Sequence, residues 1–171
     1  MGAAPIGPQR MPLEIERKFL VSGNAWREQA HKRVAMRHGY LTELGAPASV
    51  RVRVEGDVGK LNVKQAVVGS TRAEYEYTIP ADEADEMIRT LCRGLILKTR
   101  HYVNHEGHLW EVDDFEGDNA GLVVAEIELG SEDEAFVRPS WLGEEVTQLR
   151  RYYNNALASH PYSRWTENDG A

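Results

Sequence analysis

Two carboxylates and a lysine alternate in the segment Glu14-Ile15-Glu16-Arg17-Lys18, near the start of the chain. Successive side chains of a β-strand point to opposite faces, so in a strand Glu14, Glu16 and Lys18 share one face. Carboxylate oxygens are the preferred ligands of hard divalent cations, and cationic side chains bind phosphate oxygens. These three side chains would make a poor hydrophobic core, but in a cavity they could hold a metal ion beside a phosphate group.

The same alternation of charged and apolar residues recurs in later segments that have strand character. Arg51 and Arg53, for example, alternate with three valines in residues 50–54. The basic residues on such faces are Lys18, Arg51, Arg53, Lys64, Arg72, Lys98 and Arg100. The acidic residues are Glu14, Glu16, Glu74, Glu76, Glu111, Asp113, Glu126 and Glu128. Charge of one sign comes in blocks, strand by strand, as a ligand-binding site would require.

Eight segments have the composition and spacing of β-strands, and turns containing Gly separate several of them. They are residues 13–21, 34–44, 49–55, 60–67, 71–79, 96–104, 108–115 and 122–129. Helices are predicted over residues 24–32, 81–92, 131–136 and 148–159, and a turn over 139–143. The pattern predicts a mainly β protein of the α+β class. We expect an eight-stranded antiparallel closed β-barrel with flanking helices and a C-terminal helix, because closure removes exposed strand edges.

Two interpretations of the charged faces remain open at this point. An antiparallel sheet often has one solvated face, which would account for the alternation without any function. A barrel can instead enclose a cavity, with its apolar faces outward and its charged faces lining a tunnel. The charged faces contain few Ser, Thr or Gln residues, which favours the tunnel. Buried charges need partners, so a tunnel with both signs predicts a metal-bound polyphosphate as its ligand.

The composition fits one globular domain of 171 residues with ordinary shares of apolar and charged side chains. A net charge of −7 argues against non-specific nucleic-acid binding. Cys92 is the single cysteine, and no apolar run suits a transmembrane helix or a signal peptide, so we expect a cytoplasmic protein. We expect a flexible lead-in over residues 1–11, one domain over 12–160 and a flexible tail over 161–171. No nucleic-acid or membrane partner is predicted, and a homodimer is left open.

The segment Glu14–Lys18 also resembles the ExExK signature of the CYTH superfamily, the triphosphate tunnel metalloenzymes. Further segments resemble those of the family in the same order along the chain. They are Gly39-Tyr40-Leu41, Val50-Arg51-Val52-Arg53, Val63-Lys64, Arg72-Ala73-Glu74-Tyr75-Glu76, Lys98-Thr99-Arg100 and Glu126-Ile127-Glu128. Residues 141–147 and 151–154 are similar to those of short bacterial members. The resemblance covers residues 13–159 and implies an eight-stranded tunnel that acts on small-molecule triphosphates with Mg²⁺ or Mn²⁺.

The resemblance also implies a role for each group of charged residues. It implies metal binding by Glu14, Glu16, Asp113, Glu126 and Glu128, with a pair of Mg²⁺ or Mn²⁺ ions expected. It implies phosphate binding by Lys18, Arg51, Arg53, Lys64, Arg72, Lys98 and Arg100. Glu74, Glu76 and Glu111 are expected to orient these cations.

Tyr40 is expected, by the same resemblance, to lie beside Lys18 and to form a catalytic pair with it. An adjacent ammonium group lowers the pKa of a tyrosine from its ordinary value of about 10. Tyr40 would then accept a proton from the attacking water. The alternative is a buried tyrosine that only forms a hydrogen bond.

The function implied is metal-dependent hydrolysis of a triphosphate, above all of inorganic tripolyphosphate to pyrophosphate and orthophosphate. The alternatives are a class IV-type adenylate cyclase that makes cyclic AMP from ATP, and a thiamine or nucleoside triphosphatase. A non-catalytic polyphosphate-binding module belongs to a different class. Thermal stabilisation by tripolyphosphate without hydrolysis would identify such a module.

Overall fold

The computed structural model describes residues 13–166, in which nine strands and three α-helices form. The strands are β1 (Leu13–Val21), β2 (Lys32–Tyr40), β3 (Ala48–Glu55), β4 (Val58–Gln65), β5 (Thr71–Ile79), β6 (Arg93–His105), β7 (His108–Glu116), β8 (Val123–Glu128) and β9 (Leu142–Glu145). The helices are α1 (Ala25–Gln29), α2 (Ala81–Thr90) and α3 (Asn154–Ser159). Short 3₁₀ turns lie at Gly117–Asn119, Arg150–Tyr152 and Tyr162–Arg164. The expected lead-in over residues 1–11 lies outside the described residues.

Eight of the strands close into a barrel. The order around the barrel is β1-β5-β4-β3-β2-β6-β7-β8, and β8 pairs again with β1. Every pairing between neighbouring strands is antiparallel. The predicted eight-stranded antiparallel closed barrel, in a mainly β protein with flanking helices, is therefore confirmed.

One edge of β1 is shared between two partners. Its first residues, Leu13–Ile15, pair with β5, whereas Phe19 and Val21 pair with β9. Between them the chain after β9 contacts β1, since the amide of Lys18 donates to Thr147 Oγ1 at 3.0 Å. The prediction of only a turn over residues 139–143 is wrong at its end, because β9 begins at Leu142. So short a strand forms through its pairing with β1 and has no signal of its own in the sequence.

The apolar side chains of the wall pack mainly on the outside of the barrel. Phe19 and Trp110 are fully buried there, and Trp141 covers Trp110 with its ring centroid at 5.8 Å. On the opposite side, Val52 of β3 packs against Ala84 of α2. Directly paired residues share a face, so outward burial of these side chains turns the charged alternate residues inward.

Helix α2 lies very close to the barrel wall, and glycines make this approach possible. A Cβ atom at Gly59 of β4 would lie 2.9 Å from the Cβ of Ala84. A Cβ atom at Gly39 of β2 would lie 2.4 Å from the Cβ of Cys92, which follows α2. Any larger residue at either position would push α2 off the strands that carry Arg51 and Tyr40.

One end of the barrel interior is filled by apolar side chains. Tyr40, Ile96 and Val124 are paired directly with residues of the inner face, so their side chains point inward as well. All three are buried in one cluster. Leu157 of α3 and Tyr152 complete this cluster. The C-terminal segment therefore closes this end of the barrel.

The predicted helix over residues 131–136 is wrong. Glu134 forms a turn with Ser131, and its carboxylate accepts hydrogen bonds from the amide of Gly130 and from His108. The ring of Phe136 lies against Trp110, with centroids 5.6 Å apart. These tertiary contacts hold the segment in an extended course that a helix could not follow.

The predicted helices over residues 24–32 and 148–159 are longer than those observed. Helix α1 covers only Ala25–Gln29, because Ala30 adopts an extended conformation. In the second segment only Asn154–Ser159 is α-helical, and Tyr153 before it is extended, with φ −78° and ψ 140°. The described part of the expected tail reaches residue 166, and the ring of Trp165 packs on Tyr152 at 5.2 Å. Within residues 13–166, no helix is long and apolar enough to cross a membrane.

Candidate active site

The charged inner faces of the strands surround a cavity of about 440 Å³. The predicted site residues that line it are Glu14, Glu16, Lys18, Tyr40, Arg51, Arg53, Lys64, Arg72, Glu74, Glu76, Arg100, Glu111, Glu126 and Glu128. The structure thus brings together nearly all residues that the alternation of charge singled out. Lys98 and Asp113 are the two predicted site residues that do not line the cavity.

The acidic wall of the cavity is built by β1 and β8. Their register places Glu16 directly opposite Glu128, and Lys18 directly opposite Glu126. Glu14 lies at the start of β1, opposite Arg72 of β5. Four carboxylates therefore face the cavity from two neighbouring strands.

Cations hold most of these carboxylates in ion pairs. Lys18 Nζ lies 2.5 Å from Glu16 Oε1 and also binds Glu126. Arg72 binds Glu14 through Nε at 3.0 Å and Glu16 through Nη2 at 2.9 Å. Lys64 Nζ lies 3.0 Å from Glu14. Lysine and arginine from three different strands thus neutralise the acidic wall, as buried charges require.

The two carboxylates of β1 differ in their affinity for protons. Burial and the nearby charge of Glu16 raise the pKa of Glu14 to about 7, although Lys64 and Arg72 oppose this shift. Burial also acts on Glu16, but Lys18, Lys64 and Arg72 together lower its pKa to about 2. Glu16 is therefore a carboxylate at neutral pH, whereas Glu14 is protonated in part of the molecules. A cation that binds Glu14 would displace this proton.

Asp113 and Lys98 form a second cluster behind the cavity lining. Asp113 is fully buried, and Arg100 binds it through Nε and Nη2, each at 2.7 Å. Lys98 also binds Asp113. Burial lowers the pKa of Lys98 to about 8 despite this contact. Asp113 thus fixes the orientation of Arg100, which reaches Glu126 in the cavity at 2.8 Å.

The basic wall is built by Arg51 and Arg53 of β3. Arg51 Nη2 donates to Asn62 Oδ1 at 3.1 Å, and Arg53 Nη2 lies 3.1 Å from Glu76. The buried Nε atoms of both arginines have no hydrogen-bond partner among residues 13–166. Because a buried donor without a partner is costly, these N–H groups are ready to bind an anion.

The supporting carboxylates contact cations of the site. Glu74 lies 3.2 Å from Lys64, and Glu111 binds Arg100. Glu76 lies 2.9 Å from Lys60, a cation that also lines the cavity but was not singled out in the sequence.

Asn62 joins the acidic and basic sides, and its importance was also missed. It is fully buried, and its Nδ2 donates to Glu74 and to Glu76 at 2.8 Å each. Lys60, Asn62 and Lys64 alternate along β4, so the face was visible in the sequence. Because Asn62 is neutral and lies between two lysines on this face, the sequence did not indicate that it contacts Glu74, Glu76 and Arg51.

Tyr40 lies at the inner end of the cavity, where it is 6% exposed. Burial raises the pKa of Tyr40 above its ordinary value, and the opposing charges of Arg51 and Lys18 do not outweigh this effect. The expected lowering of the Tyr40 pKa is therefore wrong in sign. Lys18 instead contacts Glu16 and Glu126, which neutralise its ammonium group.

His38 is a buried neutral residue beside the basic wall and was not anticipated. It is fully buried, and neither ring nitrogen has a hydrogen-bond partner in the described part of the chain. Burial and the charges of Lys98, Arg51 and Arg53 hold its pKa well below the ordinary value. A neutral imidazole at this position adds no further positive charge to the cationic cluster.

The donor set of the acidic wall fits a hard divalent cation. Glu14, Glu16, Glu126 and Glu128 supply oxygen ligands only, as Mg²⁺ and Mn²⁺ prefer. Across residues 13–166, no group of three or more Asp, Glu, His or Cys side chains is already gathered as a metal cage. Mg²⁺ is commonly held by one or two carboxylates together with substrate phosphates, so this arrangement suits an ion that binds with a polyphosphate.

Comparisons with known proteins agree with this site. A family model for the CYTH domain matches residues 12–159 of the chain. The inorganic triphosphatase of Acetivibrio thermocellus is 48% identical over 158 residues, which cover 92% of this chain and 100% of that protein. The inorganic triphosphatase of Nitrosomonas europaea is 37% identical over 149 residues, which cover 85% of this chain and 96% of that protein.

The fold agrees with a solved structure as well. The crystal structure of the inorganic triphosphatase NE1496 matches with a TM-score of 0.63 and 35% identity. The match covers 85% of this chain and 93% of that one. The chain therefore belongs to the CYTH domain family.

Proposed function

We propose that the protein is a metal-dependent triphosphatase that hydrolyses inorganic tripolyphosphate to pyrophosphate and orthophosphate. The observation that carries the proposal is a barrel cavity with an acidic wall on β1 and β8 facing a basic wall on β3. Two relatives that match most of this chain are named inorganic triphosphatases. Their names and the opposed walls support the same substrate.

The basic side of the cavity binds the phosphate groups in this proposal. Arg51 and Arg53 contribute guanidinium forks, whose planar N–H groups match phosphate oxygens. Lys18, Lys64, Arg72 and Arg100 are each paired with a carboxylate. In the proposal these four cations bind the phosphate oxygens of a triphosphate in place of the carboxylates. The carboxylates are then available to bind a metal ion. Phosphoryl transfer depends mainly on such positioning and charge stabilisation.

The family implies a divalent metal requirement, and we assign a pair of Mg²⁺ or Mn²⁺ ions to Glu14, Glu16, Glu126 and Glu128. When bound, such ions neutralise phosphate charge and promote the formation of an attacking hydroxide. Asp113 was the fifth expected ligand. Because Lys98 and Arg100 enclose it, we assign Asp113 instead to positioning these two cations.

Tyr40 remains a candidate for the chemistry, with a different role from the one expected. Since burial raises its pKa, its phenol stays protonated at neutral pH. We assign Tyr40 as a hydrogen-bond donor to a phosphate oxygen beside Arg51, with Lys18 as the neighbouring cation.

The single cysteine suits a reducing compartment, and we place the enzyme in the cytoplasm.

A substrate panel tests the proposal directly. The protein is incubated with tripolyphosphate, ATP or thiamine triphosphate and with Mg²⁺ or Mn²⁺, and orthophosphate and cyclic AMP are both measured. We expect the highest kcat/KM for tripolyphosphate and no cyclic AMP. Cyclic AMP with pyrophosphate from ATP would identify a cyclase instead. Thermal stabilisation by tripolyphosphate without orthophosphate release would identify a binding module.

A further inference from the structure

Tyr153 lines the cavity and connects two segments that are far apart in the sequence. Its hydroxyl accepts a hydrogen bond from the amide of Gly69 at 3.1 Å and donates to the carbonyl of Thr147 at 2.9 Å. Gly69 belongs to the loop of residues 66–70 between β4 and β5, and Thr147 follows β9. Val67 and Val68 of this loop line the cavity, as does Tyr153 itself. One hydroxyl thus fastens a cavity loop to the C-terminal segment.

The ring of Tyr153 faces two cations of the acidic wall. Its centroid lies 5.7 Å from Lys18 Nζ and 5.8 Å from Arg72 Cζ. Both distances are within the roughly 6 Å over which an aromatic face attracts a cation. Lys18 and Arg72 are the side chains that bind Glu16. The ring therefore contacts both of the cations that hold Glu16.

A second path joins Tyr153 to Lys18 through the backbone. Thr147, whose carbonyl accepts from Tyr153, also accepts a hydrogen bond from the Lys18 amide at its Oγ1. The amide of Val146 donates to the Lys18 carbonyl at 2.8 Å. Both backbone groups of Lys18 are thereby held by the segment that Tyr153 fastens.

We propose that Tyr153 is a positioning residue of the triphosphatase. Its hydroxyl fixes the cavity-lining loop of residues 66–70, and its ring sets the positions of Lys18 and Arg72. The effect on turnover rests on the proposed function, whereas the effect on the loop does not.

The hydroxyl is tested by Tyr153→Phe, with Tyr152→Phe as the matched control. Tyr152 is the adjacent tyrosine, its hydroxyl accepts from Arg151, and it does not line the cavity. We expect Tyr153→Phe to speed amide hydrogen exchange in residues 66–70 and to raise the tripolyphosphate KM about tenfold, with kcat within about twofold. The control should leave loop exchange, KM and kcat unchanged.

The ring is tested by Tyr153→Leu, which removes the aromatic face as well as the hydroxyl. We expect kcat to fall about tenfold below that of Tyr153→Phe, because Lys18 and Arg72 lose their ring contact. Equal kcat values in the two variants would overturn the role of the ring. Circular dichroism of both variants establishes that the barrel is folded.

The outcomes separate this inference from the proposed function. If the wild-type protein releases no orthophosphate from tripolyphosphate, the proposed function fails and hydrogen exchange still tests the loop. If the wild type is active and Tyr153→Phe changes neither KM nor exchange, the inference fails alone. Faster loop exchange with unchanged KM would make the hydroxyl purely structural and would also overturn its role in the site.

Discussion

Glu16 and Glu128 are directly opposite each other on β1 and β8, yet only Glu16 is enclosed by cations. Glu16 lies 2.5 Å from Lys18 and 2.9 Å from Arg72. Glu128 is an exposed residue that lines the cavity, and it has no ion pair within residues 13–166. The two glutamates therefore differ in role. Glu128 is accessible to a ligand, whereas the ion pairs of Glu16 also stabilise the fold.

Glu128→Gln should weaken metal binding with little effect on stability. We expect the Mg²⁺ concentration for half-maximal activity to rise about tenfold, because a charged oxygen ligand is lost. Thermal unfolding should be nearly unchanged, since Glu128 is exposed. The control is Glu144→Gln, an exposed carboxylate that does not line the cavity. A Mg²⁺ dependence equal to that of the control would remove Glu128 from the metal site.

Glu16→Gln should lower stability as well as activity. The substitution leaves Lys18 and Arg72 short of one negative charge in a buried environment, and breaking such a pair costs roughly 3 kcal/mol. Urea unfolding of the metal-free protein measures this loss, and Glu128→Gln is the matched comparison. Equal unfolding free energies for the two variants would contradict the difference that the structure shows between them.

Arg51→Lys should weaken substrate binding although the charge is kept. A lysine lacks the planar fork and the buried Nε–H that has no partner in the described chain. We expect the tripolyphosphate KM to rise about tenfold. Arg37→Lys is the control, because Arg37 pairs with Asp85 on the exposed outer surface. An unchanged KM in Arg51→Lys would show that β3 does not bind phosphate through its guanidinium groups.

Lys98 should make stability rise with pH in the alkaline range. Burial lowers its pKa to about 8 in the folded state, against about 10.4 in an unfolded chain. Between these values the unfolded state binds more protons, so the contribution of Lys98 to the unfolding free energy increases with pH. Below pH 8 the cost of burying the charged form is fully present.

Urea unfolding between pH 7 and pH 10 checks this prediction. The free energy of unfolding should rise more steeply with pH in the wild type than in Lys98→Met. Lys32→Met, on the exposed surface, serves as the control and should keep the wild-type slope. Parallel pH profiles for the wild type and Lys98→Met would refute the assigned direction.

The alternation of charge along the strands predicted which side chains share the inner face, because strand geometry has a fixed period. The depth of each residue in the barrel could not be predicted in this way. Asp113 and Glu126 both point inward, but register places Asp113 directly opposite Arg100, where Lys98 also binds it, and Asp113 does not line the cavity. Depth depends on strand pairing across the whole barrel.

The regions that sequence reasoning missed depend on contacts between distant segments. β9 exists only through its pairing with β1, and Tyr153 breaks the expected final helix. The Tyr153 hydroxyl forms hydrogen bonds with Gly69 and Thr147, and these contacts favour the extended conformation over a helix. Local propensity favours a helix there, and tertiary contacts override it.

Asn62→Asp should destabilise the protein although the two side chains have the same shape. The amide Nδ2 of Asn62 donates to Glu74 and Glu76, whereas a carboxylate would repel both. We expect a lower melting temperature than in the wild type at pH 8, with the difference shrinking toward pH 5 as carboxylates gain protons. The tripolyphosphate KM should rise as well, because Arg51 is drawn toward the new charge.

Asn119→Asp is the control for this substitution. Asn119 is equally buried, and its Oδ1 accepts a hydrogen bond from the amide of Tyr162, a role that aspartate keeps. Melting curves from pH 5 to pH 8, together with KM values, compare the two variants. If Asn62→Asp followed Asn119→Asp in both measurements, the amide could not be the link between Arg51 and the carboxylates of Glu74 and Glu76. Both substitutions bury a new carboxylate, so both variants should lose some stability as pH rises. A larger loss in Asn62→Asp would show that the amide of Asn62 links Arg51 to Glu74 and Glu76.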